Sequence, residues 1–394
     1  MDKIDEILTR ATANIIPGKS ELEKLLNSGK KLNVYLGIDP TSTKIHLGHT
    51  VGLRKLQQFA ALGYNVTFVI GDFTALIGDT SDKDSERPSL SKEEIEENFK
   101  TYKKQAEKVL DFSKVKIRYN SEWLKKLSFE DIVKLTQHFS AGDFTSRELV
   151  RKRLNEGKKV GLHEFLYPVM QGYDSYFMDT DIQVGGTDQT FNMQAGRTLQ
   201  SDLRNKESFV LTTPILEGPD GRKMSKSWGN AIWLDDKPND IYAKVMAVED
   251  NLIITYFTLV TNISLKEIDE IKKELEEGEN PISAKKQLAY EIVSELHGEG
   301  SAREAQENFE RTVQRNELPE SIELHTFDKT ELGIIDILIH LPYEFSTSEA
   351  KRLIEQGGIS VNGKVIKNSN EVIKLNEDKL LKIGKRRVVK ISSK

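Results

Sequence analysis

Between Lys31 and about Phe209, short apolar runs alternate with stretches of helical periodicity. The runs NVYLGID from Asn33 and NVTFVIGD from Asn65 have strand character. Between them, residues from about Gly48 to Leu62 place apolar side chains at helical spacing and stop at Gly63. Strand, helix and strand joined by short connections predict a parallel sheet with crossover helices. Further runs at Val115–Tyr119, Asp181–Gly185 and Ser208–Thr212 are separated by helical segments such as Lys92–Leu110. Residues 1–230 therefore read as one α/β domain with a doubly wound, Rossmann-like parallel sheet.

Beyond Trp233 the pattern turns helical and acidic, over Asn239–Val248, Leu252–Val260, Leu265–Glu277, Ser283–His297 and Ala302–Gln314. It predicts a separate α-helical domain over residues 231–318. A polar stretch with Pro319 marks a linker, 319–329. In residues 330–394, ELGIIDILIHL and TSEAKRLIEQGG read as helices, and ISVNGKVI sets an Asn-Gly pair between two alternating runs, a hairpin signal. This is a small α+β unit.

Charge changes the picture only when read by region. The 57 Lys and Arg against 62 Asp and Glu leave a net −5, which taken whole gives no hint of a nucleic-acid partner. Residues 344–394, however, hold twelve basic and six acidic side chains, so this stretch carries +6 and the remainder −11. Its last segment, KIGKRRVVKISSK, reads as strand with one charged face, either a solvated edge or an RNA-facing surface. The absence of cysteine excludes disulfides, thiolate metal sites and Cys nucleophiles within the chain. The opening MDKIDEILTRA lacks a secretory apolar core, and no apolar run reaches membrane-spanning length. The expectation is a soluble cytoplasmic protein with no membrane partner.

Two motifs carry candidate chemistry. After the first strand, Gly37, Asp39 and Pro40 turn the chain, and His46, Gly48 and His49 open the next helix. Ligands of open α/β sheets bind at this carboxyl edge. A helix N-terminus with two imidazoles and a glycine between them suits a nucleotide triphosphate. A metal pair and two unrelated surface histidines compete with that reading, the former lacking an obvious third ligand. The second motif, GRKMSKSWGN at 221–230, sets Lys223 and Lys226 three apart. A doubly cationic loop can close on a polyphosphate and stabilise charge developing in phosphoryl transfer; alone, it reads more readily as a solvated basic loop. Neither a Walker pattern nor a G-x-G-x-x-G fingerprint is present, so a P-loop ATPase or dinucleotide oxidoreductase has no support.

HLGH after the first strand and KMSKS after the last resemble the paired hallmarks of class I aminoacyl-tRNA synthetases. Within them, YLGIDPT from Tyr35, IGDTSDKDSER from Ile77, YPVMQGYD from Tyr167 and QVGGTDQ from Gln183 are similar to the tyrosyl family. The end of the chain resembles that family's alpha-L RNA-binding module. Full KMSKS, GGTDQT and this tail point to the bacterial KMSKS-bearing subgroup.

The resemblance implies tyrosine-tRNA ligation: activation of L-tyrosine by ATP to tyrosyl-adenylate and pyrophosphate, then transfer to the 3' end of tRNA(Tyr). It implies His46, His49, Lys223 and Lys226 as catalytic. The nucleotide site would add Asp39, Thr41, Gly48, Asp188 on the ribose, and Lys83 and Arg87 from a pyrophosphate-binding loop. The tyrosine site would comprise Tyr35 and Asp174 on the phenol, Asp79, Tyr167 and Gln171 on the ammonium, Gln183, and Gln189 on the carboxylate. Magnesium would arrive with ATP through phosphate oxygens, with no protein metal ligand. A homodimer is implied, one tRNA spanning both subunits.

Blander readings stand beside these: Tyr167 and Tyr173 as core aromatics, Asp39 as a turn residue, Lys83 and Arg87 as a solvated loop. Leu36, Gly52 and Thr190 depart from the better-known form, which carries cysteine, threonine and tryptophan there, so ribose contacts would be redistributed. The competing functions are the tryptophanyl enzyme, an RNA-binding scaffold without catalysis, and a stand-alone nucleotidyltransferase.

Overall fold

A computed structural model describes residues 3–40, 43–77, 92–225, 228–314, 322–343, 345–384 and 387–394. Thr41, Asp79, Lys83, Arg87 and Lys226 lie outside the described residues.

The chain opens with α1 (Lys3–Thr9), β1 (Asn14–Ile16) and α2 (Lys19–Leu26). The alternation read from sequence then follows: β2 (Asn33–Ile38), α3 (Leu47–Ala61), β3 (Asn65–Ile70), α4 (Lys92–Ala106) and β4 (Val115–Tyr119). A helical insertion comes next, α5 (Ser121–Leu124), α6 (Phe129–Thr136), α7 (Ala141–Ser146), α8 (Glu148–Asn155) and α9 (Leu162–Phe177). It leads into β5 (Ile182–Gly186), α10 (Thr190–Arg204) and β6 (Phe209–Thr213).

These strands form one sheet in the order β1-β6-β5-β2-β3-β4. β2 to β6 run parallel, with Tyr35 of β2 level with Thr67 of β3 and Gln183 of β5. The edge differs from the all-parallel expectation, because β1 pairs antiparallel with β6. A three-residue NII strand is too short to show a period, and its role is to cover an open sheet edge. β3 and β4 are laid down to one side of β2, and β5 and β6 to the other. The order therefore reverses between β2 and β5, and a crevice opens at their carboxyl ends.

The chain continues through α11 (Pro238–Val245), α12 (Ile253–Val260), α13 (Leu265–Glu276), α14 (Pro281–His297) and α15 (Glu299–Phe309). The closing elements are β7 (Leu324–Phe327), β8 (Glu331–Gly333), α16 (Ile334–His340), α17 (Thr347–Glu355), β9 (Ile359–Val361), β10 (Lys364–Val365), β11 (Val372–Lys374), β12 (Lys379–Ile383) and β13 (Arg387–Ser393). Two compact units result, residues 1–237 with 244–299, and residues 238–243 with 300–394.

The second unit has its own apolar core, including Ile334, Leu338, Ile354, Ile383 and Ile391. Asn362 and Gly363 join β9 to β10 with φ of 46° and 81°, the paired positive values that a two-residue hairpin turn demands. Glu331–Gly333, expected as helix, is instead a strand paired with β11. The helix starts only at Ile334, after the extended Gly333.

In the first unit, buried cations lock α3 to its neighbours. Lys55 is 1% exposed. Its Nζ donates to the carbonyls of Ile7 at 2.8 Å and Arg10 at 2.5 Å, satisfying groups that the end of α1 leaves unpaired. The buried Arg10 guanidinium in turn donates to the carbonyls of Phe257, Thr258, Thr261 and Ile263 around the end of α12. Burial pulls Lys55 down to about 7. Between pH 7 and about 10 the unfolded chain then holds a proton that the folded chain has released, so stability gains from this residue as pH rises, by up to ~1.4 kcal/mol per pH unit. Urea denaturation at pH 7 and 9 should show this gain in the wild type and lose it in Lys55→Met.

Candidate active site

His46 stands at the N-cap of α3, in extended conformation, with its carbonyl accepting from the His49 backbone N–H at 2.9 Å. The His46 backbone N–H donates to His49 Nδ1 at 3.2 Å. That bond assigns the His49 proton to Nε2, a donor that a ligand can use. The two rings lie 3.9 Å apart, and His46 Nδ1 is buried with no partner among the described residues. A Cβ on Gly48 would come within 2.9 Å of that Nδ1, which is why a glycine separates the histidines. Burial, reinforced by the mutual proximity of the rings and by Lys223, lowers His46 to about 2. Burial also lowers His49 to about 4. Both rings are neutral donor–acceptors at pH 7.

The second motif is fixed to the first through backbone. Leu47 N–H donates to the Ile232 carbonyl and Leu234 N–H to the Ile45 carbonyl, both at 2.9 Å, so His46 is bridged to Trp233. Residues 232–234, just past the motif, are thereby held against the start of α3. Met224 is buried and donates its N–H to the Leu216 carbonyl at 3.2 Å, anchoring the loop. Lys223 remains partly exposed, with Nζ 3.4 Å from Asp188. An ion pair so open to solvent contributes little to stability and is readily exchanged for a ligand.

Beneath this edge lies a set of buried polar groups. The Tyr35 hydroxyl donates to Gln183 Oε1 at 3.2 Å, and Gln183 Nε2 donates to the Met193 carbonyl at 2.9 Å. Asp174 accepts from Trp123 Nε1 at 2.6 Å and from Asn120 Nδ2 at 3.2 Å. Its surroundings are apolar, with Tyr35, Val69, Trp123 and Leu124 packed against Phe73, Met170 and Tyr173. Burial, with help from Asp39 and Asp72 against the two hydrogen bonds, raises Asp174 to about 8. Burial first, and Asp174 second, raises the Tyr35 phenol well above its ordinary value. Tyr167, Gln171 and Asp174 are spaced four and three apart on α9 and so share one face. Tyr167 donates to Asp39 Oδ2 at 2.8 Å, and Thr74 to Asp39 Oδ1 at 2.7 Å. Asp39 is thus held by side chains from two other elements, which goes beyond a local turn. Gln189 opens α10 and accepts from Asn192 Nδ2 at 3.1 Å.

The described residues therefore bring together side chains from β2 and its loop, the start of α3, α9, Asp188 just past β5, and Lys223. Trp123, Asn120, Thr74 and Trp233 also belong here, although nothing in their local sequence singles them out. Among the described residues, no group of three His, Cys, Asp or Glu side chains is arranged to hold a metal ion.

Residues 27–314 match the family of class I tRNA synthetases for tryptophan and tyrosine, and residues 335–378 match the S4 domain. A tyrosine-tRNA ligase of Carboxydothermus hydrogenoformans is 44% identical over 397 residues, covering 98% of this chain and 97% of that protein. The chain belongs to the tyrosine-tRNA ligase family of class I tRNA synthetases. A second member, from Thermotoga maritima, is 41% identical over 389 residues, covering 98% and 96%. In fold, the chain is similar to a C-terminally truncated mitochondrial tyrosyl-tRNA synthetase of Aspergillus nidulans, with a TM-score of 0.65 at 22% identity over 77% of this chain and 92% of that one.

Within the ligase family, the departures at positions 36 and 52 are physically one change. A Cβ on Gly52 would sit 2.8 Å from Leu36 Cδ1, and Leu36 is buried. The leucine fills the space that a side chain at position 52 would need. Gly52→Ala in a helix would ordinarily gain ~0.5–1 kcal/mol, whereas overpacking costs about 1–3 kcal/mol. Gly52→Ala is expected to destabilise the wild type and to stabilise a Leu36→Ala background, a reversal of sign that denaturant midpoints of the four proteins will read.

Proposed function

We propose that the protein ligates tyrosine to tRNA(Tyr) through a tyrosyl-adenylate. The observation that carries this reading is the pair of buried hydrogen-bonding sets, Tyr35–Gln183 and Asp174–Trp123–Asn120, in the same sheet domain as the neutral histidine pair. An apolar pocket that ends in a hydroxyl and a carboxyl group recognises a substrate phenol. The tyrosine carboxylate attacks the α-phosphate of ATP in line and expels pyrophosphate, after which a terminal ribose hydroxyl of the tRNA takes the acyl group. His46, His49, Lys223 and Lys226 stabilise charge on the phosphorus and the leaving pyrophosphate, and alignment of the two substrates supplies an entropic advantage. Asp39, Thr41, Gly48, Lys83, Arg87 and Asp188 serve ATP, which brings its own magnesium. Asp79, Tyr167, Gln171, Gln183 and Gln189 hold the amino acid.

We assign tRNA binding to the helical region, 231–318, and to the basic unit, 330–394. Backbone phosphates answer its charge, and single-stranded anticodon bases offer stacking and edge contacts. The protein acts in the cytoplasm as a homodimer. Phe129 and Leu162 in the helical insertion are each 81% exposed, apolar side chains suited to a partner subunit.

ATP–pyrophosphate exchange with each standard amino acid tests the reading. Exchange with tyrosine alone is expected. Exchange with tryptophan instead would move the protein to the other branch of the family, and none at all would favour a non-catalytic RNA-binding role. No described helix is long and apolar enough to cross a membrane.

A further inference from the structure

We propose that Asn230 is a positioning residue for adenylate formation, a clasp that holds residues 220–225 together and thereby places Lys223. The inference rests on the ligase reading above. One carboxamide makes bonds on both sides of the lysine. Asn230 Nδ2 donates to Asp220 Oδ1 at 2.8 Å and lies 3.3 Å from the carbonyls of both Arg222 and Lys223, while Oδ1 accepts the Ser225 N–H at 2.9 Å.

The surroundings fit the same role. Asp220 uses its other oxygen for Arg222 Nε at 2.8 Å, and the Arg222 guanidinium stacks over the Trp228 ring at 4.5 Å. A Cβ on Gly218 would meet Asn230 Nδ2 at 2.4 Å, so the glycine leaves room for the amide. Met224, the next residue, is anchored in the core, and Lys223 Nζ lies 3.4 Å from Asp188. Only a carboxamide can do this. Aspartate accepts from Ser225 but repels Asp220 and cannot donate to the two carbonyls, and serine is too short to reach both strands of the loop.

Because these bonds are solvent-accessible, their effect falls on geometry more than on stability. Misplacing a charge by about 1 Å can cost a rate ~10²-fold.

Rapid-quench adenylate formation, tyrosine binding at equilibrium, and Ser225 amide hydrogen exchange are to be measured on the full-length protein. The variants are Asn230→Ala, Asn230→Asp and Gly218→Ala, each also in a Lys223→Ala background. Asn230→Ala should slow adenylate formation about 10- to 100-fold, leave the tyrosine Kd within about twofold, and lose protection of the Ser225 amide. Gly218→Ala should reproduce this by displacing the amide, and Asn230→Asp should recover little. In the Lys223→Ala background, Asn230→Ala should slow the reaction no further. Rates within twofold of wild type, a parallel loss of tyrosine affinity, or an undiminished effect without Lys223 would each overturn the proposal. Should the wild type form no adenylate, the ligase reading fails, while retained Ser225 protection in Asn230→Ala separately refutes the clasp.

Discussion

Asp174→Asn is expected to lose most of the preference for tyrosine over phenylalanine. Asp174 offers two acceptor oxygens to two fixed donors, Trp123 Nε1 and Asn120 Nδ2. An amide has one oxygen, which those two donors claim, so a substrate hydroxyl is left without its acceptor. Leaving a buried polar partner unsatisfied costs about 1–3 kcal/mol, roughly 5- to 150-fold in a rate or binding constant. Phenylalanine has no hydroxyl to lose a contact, so the penalty falls mainly on tyrosine. The kcat/KM ratio for the two amino acids, read by pyrophosphate exchange, should fall by a factor in that range, and an unchanged ratio would remove Asp174 from specificity.

The same carboxyl gives a pH signature. With Asp174 raised to about 8, the folded protein keeps a proton between pH 4 and 8 that the unfolded chain has lost. Stability from this group is present at low pH and declines as pH rises through 8. Asp174→Asn should flatten that decline in denaturation midpoints measured from pH 5 to 8.

How far the site was legible follows from what each residue depends on. The central runs from Asn33 and Asn65 are strands within a residue or two of the expected bounds, because a strand inside a parallel sheet reads as a largely apolar run, and Val115–Tyr119, at the sheet edge, alternates apolar and charged residues as a half-exposed strand does. The Asn362–Gly363 turn was legible because two consecutive positive φ values restrict the residues that fit. His46, Gly48, His49 and Lys223 were legible as motifs, since their spacing is the chemistry.

Trp123 and Asn120 were not, because they matter only through Asp174, fifty-odd positions away, and only once α5 packs against α9. Lys55 reads as a surface lysine on an amphipathic helix. Its burial depends on the last carbonyls of α1, an element too short to announce itself. Glu331–Gly333 carries helix-compatible residues, and only pairing with β11 decides otherwise. In each case the missing information is a long-range partner.

His49→Ala is expected to slow adenylate formation by about 10²–10³-fold, the cost of removing one preorganised donor from a developing oxyanion, while tyrosine affinity stays within about twofold. The donor is specific: the His46 backbone N–H occupies His49 Nδ1, so the ring proton sits on Nε2. The contribution is that of a neutral imidazole. Burial holds His46 near 2 and His49 near 4, so adenylate formation in the wild type should show no titration around pH 6.5. An imidazolium mechanism would instead lose rate as pH rises through that value. Folding should register the same charge state. Between about pH 4 and 6.5 the unfolded chain binds protons on these histidines that the folded chain refuses, so they destabilise the protein as pH falls. Stopped-flow rates and denaturation midpoints from pH 5 to 8, for wild type and His49→Ala, test both halves. A flat wild-type rate profile with a shallower acid loss of stability in the variant is the expected pair of results. A rate inflection near 6.5 that disappears in His49→Ala would show that the charged ring does the work.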